Sequence, residues 1–162
     1  MVVLQTAQQQ RASLPKDPKE LALALAGLLD RKKGEDIVLL DISGPLVIAD
    51  FFVIATAKGP RHAQALGREL ESTMKRAGRP RRSVAGMEGE NSWVLLDFDD
   101  VVVHIFVQES RDFYALERLW ADVPREQFEP AENTETGSTG LERPETSENR
   151  HGNTFPGSTT RT

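Results

Sequence analysis

Apolar residues in the first 124 positions recur with two different periods, and the switches between them mark out the elements. Leu21, Leu25, Leu28 and Leu29 fall at helical spacing behind Asp17-Pro18-Lys19-Glu20. There Asp suits an N-cap, proline the first helical position, and Glu the position three residues after the cap. The spacing predicts a helix ending between Arg31 and Gly34. Asp36 to Ile42 (DIVLLDI) reads as a short strand stopped by Ser43-Gly44-Pro45, and Phe51 to Thr56 (FFVIAT) as a second. The latter is apolar at successive positions, as a central strand covered on both faces should be.

A second helix follows Ala57-Lys58-Gly59-Pro60, with Ala63, Leu66, Gly67, Leu70 and Met74 on one stripe and Arg61, Gln64, Arg68, Glu71 and Lys75 away from it. Gly78 suits the position just past its end, and Pro80 prevents continuation. After a short β-rich run at 83–87, SWVLLDF and VVVHIFV are strands joined through Asp99-Asp100, close enough to form a hairpin. The last periodic stretch, Arg111 to Trp120 (RDFYALERLW), predicts a helix with Ser110 as N-cap. Its spacing directs Phe113, Leu116 and Leu119 to the core and Arg111 and Tyr114 to solvent, with Trp120 unassigned. The expected order is helix, two strands, helix, three strands, helix. Strands this apolar need cover, so the fold class is α/β, a single mixed β-sheet flanked by helices.

Composition splits the chain in two. From Arg125 to Thr162 the large apolar residues are Phe128, Leu141 and Phe155 alone, and seven acids stand against four bases. Such a segment buries too little apolar surface to offset ordering entropy of ~1–2 kcal/mol per residue. The expected organisation is therefore a flexible N-terminus over 1–16, a domain over 17–124 and a disordered polar tail over 125–162. The formal net charge of −5 falls largely on that tail, leaving the domain near neutral and unlike a dedicated wrapper of naked nucleic acid. The absence of cysteine removes disulfides, zinc–thiolate sites and thiol nucleophiles, and fits a reducing cytoplasmic setting. No apolar run approaches the ~18 residues of a membrane span, so no membrane partner is expected.

Candidate chemistry is sparse. Asp97, Asp99 and Asp100 could hold a divalent cation, and with His104 they suggest a metal-dependent nucleotidyltransferase or hydrolase. In such an enzyme His104 would need Asp97 across the hairpin to orient it. The competing reading makes Asp99-Asp100 simply a turn, where aspartate tolerates positive φ and bonds locally. No Gly-x-Ser-x-Gly elbow, phosphate-cradling loop or dinucleotide fingerprint occurs. Five cations, Lys75, Arg76, Arg79, Arg81 and Arg82, cluster within eight residues. They suit either contact with RNA phosphates or an acidic protein surface, or a solvated loop at a helix C-terminus.

Taken together, LDISGPLVIADFFVIATA (Leu40 to Ala57) and WVLLDFDDVVVHIFVQESRDFYALERLW (Trp93 to Trp120) resemble the Iojap-like family of bacterial ribosomal silencing factors. The resemblance spans roughly Pro18 to Pro124. It departs at the hairpin turn, at Ala57-Lys58-Gly59, and ahead of Trp93, where Gly86 follows Ala85 and Glu88-Gly89 stands close to the tryptophan. It implies a nucleotidyltransferase-like fold without that fold's catalytic signature, and no enzyme activity or cofactor. The implied function is binding to the large ribosomal subunit through ribosomal protein uL-fourteen, steric block of subunit joining and so repression of translation when nutrients are scarce, and for organellar relatives a role in large-subunit assembly. Interface energy concentrates in aromatic and arginine anchors. Accordingly Trp93, Asp97, Arg111 and Tyr114 are the expected partner-binding residues, and ribosomal RNA the expected neighbour of the five-cation cluster. A homodimer of the free protein, through an exposed sheet edge or the last helix, is compatible with this reading.

Overall fold

The computed structural model describes residues 14–45 and 48–130. Helix α1 (Pro18–Arg31) begins as its sequence dictates: the Asp17 side chain accepts from the Glu20 amide at 3.0 Å and proline opens the first turn. Strands β1 (Glu35–Asp41) and β2 (Phe51–Ala57) pair antiparallel. Helix α2 (Pro60–Arg76) buries Ala63, Leu66, Gly67, Leu70 and Met74, the stripe read from the sequence, and stops at Gly78, whose φ of 75° only glycine adopts without strain. Strands β3 (Ser83–Ala85), β4 (Trp93–Asp97) and β5 (Val101–Val107) follow, with β5 antiparallel to β4 and parallel to β2. A final strand, β6 (Arg125–Gln127), pairs with β1, so the mixed sheet has the order β3-β4-β5-β2-β1-β6.

The two faces of this sheet are covered unequally. One carries Ile37, Leu39, Phe51, Val53, Ala55, Val94, Leu96, Val101, Val103 and Ile105 against α1 and α2, forming the larger core. The other carries Val38, Leu40, Phe52, Ile54 and Phe106, with Leu116, Trp120 and Val123 folded onto it from the segment after β5. Every residue of β2 is buried, as its unbroken apolar run requires.

Three expectations are corrected. The domain does not stop at 124: β6 completes the sheet edge, Lys19 pairs with Glu126 at 2.7 Å, and Phe128 packs against the larger core. At the other end Leu14 also joins that core, and the Pro15 carbonyl accepts from Arg79 at 2.6 Å. Residues 1–13 and 131–162, where the flexible N-terminus and the polar tail were expected, otherwise lie outside the described residues. The last helix is not continuous. It is α3 (Gln108–Tyr114) and α4 (Leu116–Leu119), broken at Ala115 in the left-handed conformation (φ 45°, ψ 47°), with Val107 rather than Ser110 at the N-cap position. Within α3 Arg111 (8% exposed) is the buried residue and Phe113 (82%) points outward, and after the break Leu119 (77%) points outward as well.

Candidate docking surface

The partly covered sheet face ends in an aromatic array built from β4, β5 and α3. Trp93, the first residue of β4, stacks on Phe106 of β5 (centroids 4.8 Å, 28° between planes) and lies 4.7 Å from Tyr114. Tyr114 in turn meets Phe113 edge to face at 5.1 Å. The exposed atoms of this array belong to Phe113, to Tyr114, which is about half exposed, and to the half-buried Trp93. Deeper in the same face, Phe52 contacts both His104 (4.7 Å) and Trp120 (5.6 Å) at steep angles. Trp120 is thereby placed on the core side. Exposed aromatic area backed by a rigid sheet is what a protein interface uses, since few side-chain rotamers must be frozen on contact.

Arg111 does not face solvent, contrary to the helical spacing. Its guanidinium donates to the Asp36 carbonyl at 2.6 Å and the Thr56 hydroxyl at 2.8 Å, and it makes a two-pronged bond with Glu117 at 2.8 and 3.3 Å. Asp36 has a φ of 47° and lies where the β1–β2 register shifts, a bulge that leaves a ladder group in need of a partner. Arg111 thus ties α3 to β1, β2 and α4 at once. The Arg111 guanidinium, bonded to Glu117, holds its carboxyl below the usual carboxylate range.

The residues of the metal reading are committed elsewhere. Asp97, at the far end of β4, accepts from the Asp99 amide at 2.9 Å, and Asp99 takes a φ of 68°, so the pair forms the hairpin turn. His104 is not oriented by Asp97. Its Nδ1 accepts from the Trp93 indole Nε1 at 3.2 Å, and burial pushes its pKa down to about 4. Among the described residues no group of three or more His, Asp or Glu could hold a metal ion.

The cation cluster is also largely engaged. Arg81 pairs with Glu71 at 2.7 Å, Arg82 approaches Asp99 at 3.5 Å, and Arg79 holds the Pro15 carbonyl. Arg76 lies 3.4 Å from the Thr73 hydroxyl, and Lys75 is exposed. This loop sits beside the Asp97 end of β4, roughly 13 Å along the strand from Trp93 at the extended rise of ~3.3 Å per residue. The structure therefore brings Trp93 and Tyr114 together, sets Asp97 and the cations at the opposite end of the hairpin, and puts Arg111 beneath.

The loop ahead of Trp93 contains a determinant the sequence reading left open. Gly86 has a φ of 79°, and a Cβ there would collide with the Trp93 carbonyl oxygen. Gln64 of α2 fastens the same loop by donating to the Gly89 carbonyl. Gly86→Ala should lower stability by about 1–2 kcal/mol. It should also displace the start of β4, read as a lower melting temperature together with altered tryptophan emission.

Comparisons with known proteins bear on the family and the fold. Residues 15–153 match the family model described as ribosomal silencing factor during starvation. The chain is 37% identical over 106 residues to the ribosomal silencing factor RsfS of Bacillus subtilis, covering 65% of this chain and 89% of that one. It is 29% identical over 98 residues to the mouse protein named mitochondrial assembly of ribosomal large subunit protein 1, covering 59% of this chain and 43% of that one. A crystal structure of a Chromobacterium violaceum protein superposes with a TM-score of 0.57 at 33% identity, over 64% of this chain and 83% of that one. A Bacillus halodurans protein gives 0.56 at 36%, over 64% and 94%. With the match covering most of its length and the sheet shared with these structures, the chain belongs to the family of ribosomal silencing factors during starvation.

Proposed function

We propose that this chain represses translation by binding the large ribosomal subunit through ribosomal protein uL-fourteen, where it blocks the small subunit from joining, and that it acts in the cytoplasm. A contribution to large-subunit assembly belongs to the same reading, supported by the printed name of the mouse relative. The observation that carries the proposal is the exposed aromatic end of the β4–β5 face. Tyr114, at 48% exposure, packs on Trp93 of a fixed strand and Phe113, at 82%, meets Tyr114 from outside, so the exposed apolar area adds little to the monomer's own core. Trp93 and Tyr114 act as anchors, Asp97 marks the far border of the surface, and Arg111 contributes by holding α3 in place. Lys75 and Arg76, the cluster members with neither a carboxylate nor a backbone-carbonyl partner among the described residues, are the ones that would meet ribosomal RNA. The same aromatic end would be covered in a homodimer of the free protein, which would then compete with docking.

The test is sedimentation with purified subunits. The protein should pellet with large subunits and reduce the 70S peak when the two subunits are mixed. Phe113→Ala and Tyr114→Ala should each weaken binding at least tenfold, about 1.4 kcal/mol or more, because anchor truncations dominate interface energy. Their melting temperatures should barely move, since both side chains are substantially exposed. Unchanged subunit joining in the presence of excess protein would defeat the proposal.

A further inference from the structure

His104 is in an unusual position for a buried polar residue. It lies mid-strand in β5, 4% exposed, with Phe52 edge-on at 4.7 Å and Phe106 parallel to it at 6.2 Å. Its Nδ1 accepts the Trp93 indole proton, so in the neutral ring the remaining proton sits on Nε2. That Nε2 is buried with no hydrogen-bond partner among the described residues. A buried donor left unmatched is unfavourable, and a phenylalanine would fill the same space between Phe52 and Phe106 without it. The one polar atom of His104 in use is the acceptor, and the group it accepts from is a half-buried indole at the exposed aromatic end.

We infer that His104 is the positioning residue of the docking surface: its Nδ1 fixes the rotation of the Trp93 indole, and through it the seat of Tyr114. The inference rests on the docking role proposed above for Trp93 and Tyr114. An indole stacked on Phe106 can slide or flip about its χ2 axis with little change in apolar contact, because stacking sets the tilt of the ring planes but only weakly which way the ring nitrogen points. A hydrogen bond at the indole nitrogen is directional, and it selects one of those arrangements. Tyr114 packs on the ring so selected, with centroids 4.7 Å apart, and the paired orientation of the two is what a partner would meet. His104 itself touches no partner, being shielded by Trp93 and Phe52.

Two substitutions separate this role from packing. His104→Phe keeps an aromatic ring, larger by about one CH group, and removes the acceptor. His104→Asn loses volume but keeps an acceptor, since its Oδ1 stands the same number of bonds from Cα as the histidine Nδ1. Binding to purified large subunits should follow the acceptor, at least tenfold weaker in the phenylalanine variant and within about threefold of the parent in the asparagine variant. Thermal stability should follow volume instead, with the phenylalanine variant at least equal to the asparagine variant. The crossed pattern is one a purely structural residue cannot produce. In the free protein the Trp93 indole N–H resonance should move upfield in His104→Phe and stay near its parent position in His104→Asn. Equal binding by His104→Phe and the parent, or an unmoved indole resonance in His104→Phe, would overturn the inference. If the parent protein itself fails to sediment with subunits, the docking reading is what fails, and the indole resonance still decides whether His104 holds Trp93.

Discussion

Replacing Arg111 with methionine should lower the stability of the domain by about 3 kcal/mol, a drop of roughly 10 °C in melting temperature for a domain of this size. Methionine retains most of the stem's volume, so the loss isolates the guanidinium. Removing it strands the Thr56 hydroxyl, the bulged Asp36 carbonyl and the Glu117 carboxylate together. The effect lies at the lower end for a broken buried ion pair because Glu117 is 23% exposed and partly rehydrates. Lysine should rescue little, since a point charge cannot reproduce the two-pronged contact with Glu117 while also reaching Asp36 and Thr56. Adding Glu117→Gln to Arg111→Met should recover part of the loss, because the uncompensated carboxylate goes with it. Subunit binding should weaken too, as α3 carries Phe113 and Tyr114. A methionine variant melting within 2 °C of the parent would show that the network contributes little.

Arg111 also shows where sequence patterning loses its grip. Helices α1 and α2 and strands β1 to β5 were legible because each obeys one period from end to end: Asp17 and Gly78 sit at the helix boundaries their chemistry favours, and β2 is buried throughout as its apolar run demands. The last helix departs from its spacing in two ways: α3 turns Arg111 inward to Asp36, Thr56 and Glu117 and so sends Phe113 outward, and the helix breaks at Ala115, a residue with no intrinsic preference for the left-handed conformation. Nothing local marks that break. It is held by Arg111 reaching a partner six residues on, a spacing that does not face itself on a helix, and by a bulge seventy-five positions earlier. Strand β6 escaped notice for a related reason: Arg125, Glu126 and Gln127 are all exposed, and their pairing with β1 uses backbone groups that leave no hydrophobic signature. Of the expected partner-binding residues, Trp93 and Tyr114 do lie together, because strand start and helix end converge there. Asp97 sits near neither, because strand length separates it from Trp93.

Between pH 7 and pH 4 the domain should lose about 3 kcal/mol of stability through His104 alone. Burial sets the folded-state pKa at about 4 against 6.5 for the unfolded chain, so between those values the unfolded state binds a proton that the folded state refuses. The stabilisation is complete above pH 6.5, declines as pH falls below it, and stops declining once the folded ring protonates as well. Glu117 acts in a lower window, because Arg111 depresses its folded-state pKa below the usual 4.5: its contribution is present above that value and disappears as pH falls through the lowered one. Denaturant melts at pH 7 and pH 5 fall within the histidine window and largely outside the glutamate one. The parent should lose about 2 kcal/mol over that interval beyond what His104→Phe loses. The comparison isolates His104 because the other two histidines are the same in both proteins. Identical pH dependence in the two would mean that the buried ring protonates as readily in the fold as in the open chain, and that burial does not hold it neutral in the interior.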